Sequence, residues 1–399
     1  MRRPTLILLA FVTACSASVP GASPVDPAEP PATTVASALP TPSDVVTETA
    51  QTEPGACTEP IQFEFAPVDL DSVEMMVPFG LMADSHVTPV DHQYFQNFKE
   101  PDRRIEVYSP GPGTVVDIQH MGQIIVDGEN READDYRLVI EHDCDISSIF
   151  IHIPELAPKI AAVAPPIGES ARVNVPVDAG ELIGVFTRNV DYNLVDLGYT
   201  VEGLLVPEQY SREPWKVHVP DTLRYFTDPI REAMIAKSPR IEEPFAGEFA
   251  YDIDGRLVGN WFQVGTNGYA GADPQRYWAG HLSVVYDLFD PSQVVVSIGT
   301  FDGASAQFGV RGNAPDPAGV TVASGVIAYE LVDYDYYVAD ERWDRISLAK
   351  GIRAVNYDEV RGVVLFQLLD DRRLKVEIFP GKTAPEVDGF TAAALTYER

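Results

Sequence analysis

From residue 104 onward the chain alternates short apolar runs with clusters of turn-forming residues. Residues 107–118, 136–142 and 149–156 are three such runs, the first broken by Pro110-Gly111-Pro112-Gly113. Runs of this length bounded by Gly, Pro and Asp predict β-strands. The Pro-Gly-Pro-Gly step predicts a sharp corner, because proline fixes φ and glycine reaches conformations other residues avoid. From Phe245 on the pattern is β again: residues 257–264, 281–289, 294–299, 325–332, 360–369, 374–379 and 391–397 are apolar-rich or alternating. Asp290-Pro291-Ser292 and Asp370-Asp371-Arg372 stand between adjacent runs as hairpin turns. Seven or eight antiparallel strands of this kind predict a barrel or sandwich. Between the two halves, residues 228–237 predict one short helix with Asp228 as N-cap and Pro229 at the first helical position, stopped by Ser238-Pro239. The expected fold class is therefore mostly β. The expected domains are 61–238 and 239–399, since the chain beyond residue 60 is too long for one small core.

The chain opens with Met1-Arg2-Arg3-Pro4 and an apolar run over residues 5–12, a run too short to span a bilayer. It ends in Val12-Thr13-Ala14-Cys15, which resembles a bacterial lipobox. That resemblance implies that residues 1–15 are a lipoprotein signal with lipidation at Cys15, and hence an exported protein anchored to a membrane, facing the periplasm or the cell surface. Several acyl chains, at about 0.8 kcal/mol per buried CH2, make such an anchor firm. An ordinary secretory signal cut near Ala14 to Ala17 is the alternative. Residues 16–60 are rich in Pro, Ala, Thr, Ser and Glu and hold no Lys, Arg or aromatic residue. Such a composition predicts a disordered tether reaching about 35–40 Å on average.

Charge and cysteines narrow the picture. A formal charge of -31 repels phosphate backbones and anionic headgroups, so nucleic acid is excluded as a partner. With Cys15 spent on lipid, Cys57 and Cys144 remain, and an even pair in an exported protein suggests a disulfide. Two free thiols are the alternative.

Two families share a Pro-Gly-rich corner of this kind. Biotinyl and lipoyl carrier domains present a lysine on the hairpin that follows, and no lysine occurs here between Lys99 and Lys159. The other set of matches runs Gly113-Thr-Val115, Leu138-Val-Ile-Glu-His142, Phe150-Ile-His-Ile153 and Gly180-Glu-Leu-Ile-Gly184, in that order. In these residues, over about a third of the chain, the sequence resembles the lysostaphin-type zinc endopeptidases, which cut peptidoglycan cross-bridges. The resemblance implies a barrel-like β domain over 61–238. It also implies a zinc held by a His and an Asp from a His-x-x-x-Asp motif and by the second His of a late His-x-His. Gly80 to His92 stands where the first motif belongs, making His86, Asp91 and His92 the metal candidates, although His86 and Asp91 are one residue too far apart. His152 takes the place of a catalytic histidine. The late motif departs from the family, with Asp191 and Asn193 where two histidines belong, so Asp191 is a candidate base and the third ligand is missing. His142 matches a structural position. His120, His218 and His281 match none. Gly259-Asn-Trp261 resembles the Gly-x-Trp of lipocalins, with core packing as the simpler use of Trp261.

Three functions of different class follow. The first is a lapsed, non-catalytic peptidase domain that binds a cell-wall or envelope polymer, or a partner enzyme, through the old groove, with no cofactor. The second is an active zinc endopeptidase with a rearranged ligand set, and the third a scaffold without a groove. Geometry separates them, because a hydrolytic zinc needs three protein ligands converging with an open fourth position.

Overall fold

The computed structural model describes residues 61–126 and 129–399. The leader, Cys15, the proposed tether and Cys57 lie outside those residues. The chain is mostly β. In its first half the strands are β1 Met75–Val77, β2 Gln93–Gln96, β3 Ile105–Tyr108, β4 Gly113–Val126, β5 Glu129–Glu141, β6 Ile146–Ile153, β7 Glu155–Leu156, β8 Ser170–Val177, β9 Leu182–Phe186 and β10 Asn189–Asp196. Seven of them form an antiparallel sheet in the order β1-β2-β10-β6-β5-β4-β8, and β3-β9-β7 form a second, three-stranded sheet. The acidic first half of β5, which carries no apolar run, is held in the sheet by pairing with β4 from Glu129 to Asp135.

The corner before β4 needs its glycines for space. A Cβ on Gly111 would lie 2.6 Å from the Phe63 ring, and one on Gly113 would lie 2.6 Å from the Glu141 carbonyl and 2.9 Å from the His142 ring. His142 then staples the corner to the sheet: Nδ1 donates to the Pro112 carbonyl at 2.8 Å and Nε2 meets the Ser148 hydroxyl at 2.9 Å. His142 is therefore structural. Cys144 lies in the turn that follows, and both other cysteines lie outside the described residues, so the expected Cys57–Cys144 pairing falls outside them too.

The connection between the halves contains the helix α1 Asp228–Lys237. Thr227, not Asp228, holds the N-cap position, and its side chain makes no capping bond; the Asp228 carboxylate pairs with Arg231 within the first turn.

The second half comprises β11 Gly259–Gln263, β12 His281–Tyr286, β13 Val294–Phe301, β14 Ala304–Val310, β15 Ile327–Val338, β16 Glu341–Arg342, β17 Ile352–Asp370, β18 Arg373–Pro380 and β19 Leu395–Glu398. Apart from the short β16, each strand pairs with the next, and β19 returns to β11, closing an eight-stranded antiparallel barrel. Closure leaves the barrel no open edges. Strand β14 escapes the hydrophobic pattern because it reads Ala-Ser-Ala-Gln-Phe-Gly-Val. Its Gly309 has no room for a Cβ, which would stand 2.1 Å from Asn356 Oδ1.

Trp261 is fully buried in the barrel core and donates from Nε1 to the Leu257 carbonyl at 2.8 Å. The Arg399 guanidinium lies over its ring at 4.1 Å and donates to the carbonyls of Val258, Ile253 and Arg256. Asp252, 3.5 Å from Arg399 Nη1, completes a buried ion pair at this end of the barrel.

The two halves share apolar material. One buried cluster runs from Phe63 through Phe150 and Phe186 to Phe262, Tyr269, Tyr277 and Trp278. Another joins Met75 and Tyr94 to Phe289, Tyr336 and Trp343.

Candidate functional site

Strand β10 carries the signature that matters. Its side chains alternate in polarity, yet Asn189 to Val195 are all buried. Val190, Tyr192 and Leu194 face the apolar core, so by the strand period Asn189, Asp191 and Asn193 share the opposite face. A buried polar face is the informative exception in a sheet. In register, Asp191 stands opposite Tyr94 of β2 and Ile151 of β6. This brings His92, just before β2, within reach, its Nε2 lying 3.5 Å from Asp191 Oδ2 and 2.8 Å from the Tyr94 hydroxyl.

His152 reaches the same carboxylate by a departure from regular strand geometry. By alternation it belongs with Ser148 and Phe150 on the core face. A bulge in the β5–β6 pairing, where three steps on β6 match two on β5, and a left-handed φ of 72° at His152 turn it over. A non-glycine residue held there is a costly conformation that tends to mark functional positions. Its Nε2 is 3.7 Å from Asp191 Oδ2, while Nδ1 is 2.7 Å from Asp135 Oδ2. Burial alone would lower the His152 pKa, but Asp191 and Asp135 outweigh it and raise it. Burial raises the Asp191 carboxyl.

Asp91, a metal candidate, has another partner. Lys216 comes in from a 3-10 turn, Pro214–His218, and donates from Nζ to Asp91 Oδ1 at 2.7 Å, with both side chains buried. The Lys216 ammonium also lies 3.7 Å from Glu213 and 5.0 Å from the centre of the Tyr269 ring. Burial would raise the Asp91 carboxyl, yet Lys216 and His92 hold it well below the usual carboxylate range. His86 sits nearby with its ring centre 6.4 Å from that of His92; burial, with His92 and Lys216 beside it, pushes its pKa down to about 3, so it stays neutral.

The three proposed metal ligands lie near one another but also have other partners: Asp91 bonds Lys216 and lies 3.5 Å from His92 Nδ1, His92 also meets Tyr94, and His86 Nδ1 and Asp91 Oδ2 are buried without hydrogen-bond partners. Among the described residues no group of three or more His, Cys, Asp or Glu side chains is arranged to hold a metal ion. What does converge is His92, Asp191 and His152. Asp191 Oδ2 and His152 Nε2 are buried without hydrogen-bond partners. Asn193 lines the adjoining cavity. That cavity is about 50 Å3 and is roofed by Trp215, Lys216, Tyr269 and Tyr277, room for roughly one to three waters.

Sequence reasoning singles out His92, His152 and Asp191, which the fold brings together, but not Lys216, Asp135 or Tyr94. Lys216 carries no motif, and its 125-residue separation from Asp91 leaves no local signal. Of the remaining histidines, His120 bonds to Asp134 and the Pro165 carbonyl, His218 to the Tyr199 carbonyl, and His281 is buried on the cavity wall.

No protein-family model and no curated protein matches the chain. One solved structure, described as the "Structure of the SpoIIQ-SpoIIIAH pore forming complex", is similar over 35% of this chain and 85% of that chain, at 12% identity and a TM-score of 0.24. A likeness so slight bears on neither family nor function.

Proposed function

We propose that this chain is an exported envelope lipoprotein, anchored through Cys15, whose first β domain is a lapsed peptidase that keeps a binding role toward a cell-wall or envelope polymer. The observation carrying the reading is the Lys216–Asp91 bond inside the candidate ligand set: the positive charge that the carboxylate needs comes from the chain itself. Contact with a polymer falls outside the small covered cavity, which has no room for a glycan or peptide. Pairing of Cys144 with Cys57 belongs to the same proposal and agrees with export to an oxidising compartment.

One observation favours an alternative. Asp191 Oδ2 lies 3.5 and 3.7 Å from two imidazole nitrogens. Ligand atoms about 2.0–2.2 Å from a tetrahedral zinc stand roughly that far apart. An active zinc endopeptidase then requires His92 to exchange Tyr94 for the metal, with His152 Nδ1 already held by Asp135 and its Nε2 facing Asp191.

Metal analysis of the purified chain, with digestion and pull-down of isolated cell walls, separates the two. The expected result is well under one equivalent of zinc, no wall digestion, and retention on wall material. One zinc per chain surviving a chelator, lost in His92→Ala or His152→Ala and accompanied by wall lysis, would establish the enzyme instead. A chain that holds no metal and is not retained on walls would refute the binding role.

A further inference from the structure

A second cavity, of about 410 Å3, opens where the connection between the halves meets the start of the second half, and it shares no lining residue with the covered cluster. Its size falls within the range of small-ligand sites, which favour such junctions. About half of the wall is apolar, from Phe79, Val201, Val219, Tyr225 and Phe249, which are buried, and Tyr199, which is 40% exposed. Its charged groups are three carboxylates, Glu202, Asp221 and Glu248, and one guanidinium, Arg224. Asp221 and Arg224 largely answer each other, at 3.5 Å, and Asp221 also accepts from the Leu223 amide.

Glu202 and Glu248 have no hydrogen bond or ion pair among the described residues. Arg240, which influences Glu248 from a distance, spends its guanidinium on the carbonyls of Glu242 and Leu288. Glu202 is exposed at the rim, whereas Glu248 is half-buried and burial raises its pKa. A partly desolvated carboxylate without a counter-charge costs stability that an incoming cation would recover.

From this geometry we propose that the 410 Å3 cleft binds an ammonium group on an aliphatic stem, such as a lysine side chain, with Glu248 and Glu202 receiving the charge and the apolar walls receiving the stem. The site goes beyond the reading of the His92–Asp191–His152 cluster and does not depend on it. Anionic ligands are disfavoured by the two unanswered carboxylates and by a chain that carries -31 overall.

Titration of the purified full chain with Nα-acetyl-lysine methylamide, followed by calorimetry or two-dimensional NMR, should give saturable binding. Nα-acetyl-norleucine methylamide, which has an uncharged side chain, should bind at least roughly tenfold more weakly, the loss of about 1.4 kcal/mol of charge recognition. Cadaverine binding as tightly as the lysine probe would identify a free amine as sufficient; its binding much more weakly would assign the site to a polypeptide side chain. Glu248→Gln should weaken the lysine probe roughly tenfold or more, and Glu202→Gln provides a second reading if the first variant does not fold. Arg224→Ala should leave binding unchanged or tighter. Equal binding of the norleucine probe, no saturable binding of any amine, or folded Glu248→Gln and Glu202→Gln variants that bind like the parent would overturn the proposal.

Discussion

Lys216→Met is expected to cost about 3–5 kcal/mol of folding free energy at neutral pH, because it leaves the Asp91 carboxylate buried without its counter-charge. The side chains of the pair are only 4% and 5% exposed, so solvent gives little screening. In the parent chain Asp91 is held well below the ordinary carboxylate range by Lys216 and His92, against the opposing effect of burial. A depressed folded pKa means that this stabilisation is present above the unfolded value and is lost only as pH falls through the folded one. The parent should therefore retain it at pH 5. In the variant, burial without Lys216 pushes Asp91 upward, so mild acid lets it protonate and relieves part of the cost. The gap between parent and variant should narrow from pH 7 to pH 5 in urea titrations. Asp91→Asn combined with Lys216→Met should recover much of the loss. A gap below about 1 kcal/mol at pH 7, as for an exposed ion pair, would show that the lysine is not the cation on which this cluster rests.

Arg399→Ala is the second large effect, again about 3–5 kcal/mol, because the change strips a carbonyl-bonded guanidinium from Trp261 and leaves Asp252 unpaired. The pH dependence has a different origin. Burial pushes Asp252 up to about 6 even with Arg399 in place. A carboxyl whose folded pKa lies above its unfolded value binds more protons when folded, so its contribution to stability falls as pH rises from about 4 to about 6. Without Arg399 that penalty grows. The variant's deficit should be greatest at pH 7 and smaller at pH 5, as read from thermal unfolding. Arg399→Lys should recover only part, since an ammonium cannot reproduce the planar stack and the several carbonyl contacts together. A deficit independent of pH would mean that lost packing, rather than the stranded carboxylate, dominates.

The sequence was legible where period and chemistry coincide. The alternating runs of the second half locate most barrel strands, and the Gly-Pro corner marks the entry to β4. The buried polar face of β10 could be anticipated from Asn189-Val-Asp-Tyr-Asn-Leu-Val-Asp. The strand β14 was hidden because small residues fill a tight crossing without an apolar run. His152 was found for its motif, but its orientation depends on a bulge and a left-handed backbone that no residue pattern announces. Lys216 was invisible for another reason: its role depends on a long connection folding back over the first sheet. The family resemblance points to a metal at His86, Asp91 and His92; what no motif announces is that Asp91 also bonds a distant lysine and that His92, 3.5 Å from Asp91, also faces Tyr94 and Asp191.

The aromatic seam in which Tyr210 packs on Phe262 and Tyr269, ring centres 5.6 and 5.7 Å apart, inside one buried cluster has a consequence for dissecting the molecule. Severing the chain near Ser238 would leave each fragment with a raw apolar wall that its own residues cannot cover, and such walls drive aggregation. Fragments made separately should precipitate, whereas the same fragments made together should reassemble as a noncovalent pair. The intact protein should melt in a single calorimetric transition with equal van't Hoff and calorimetric enthalpies, as one cooperative unit does. Two resolved transitions would show that the halves, though pressed together, keep separate thermodynamic lives.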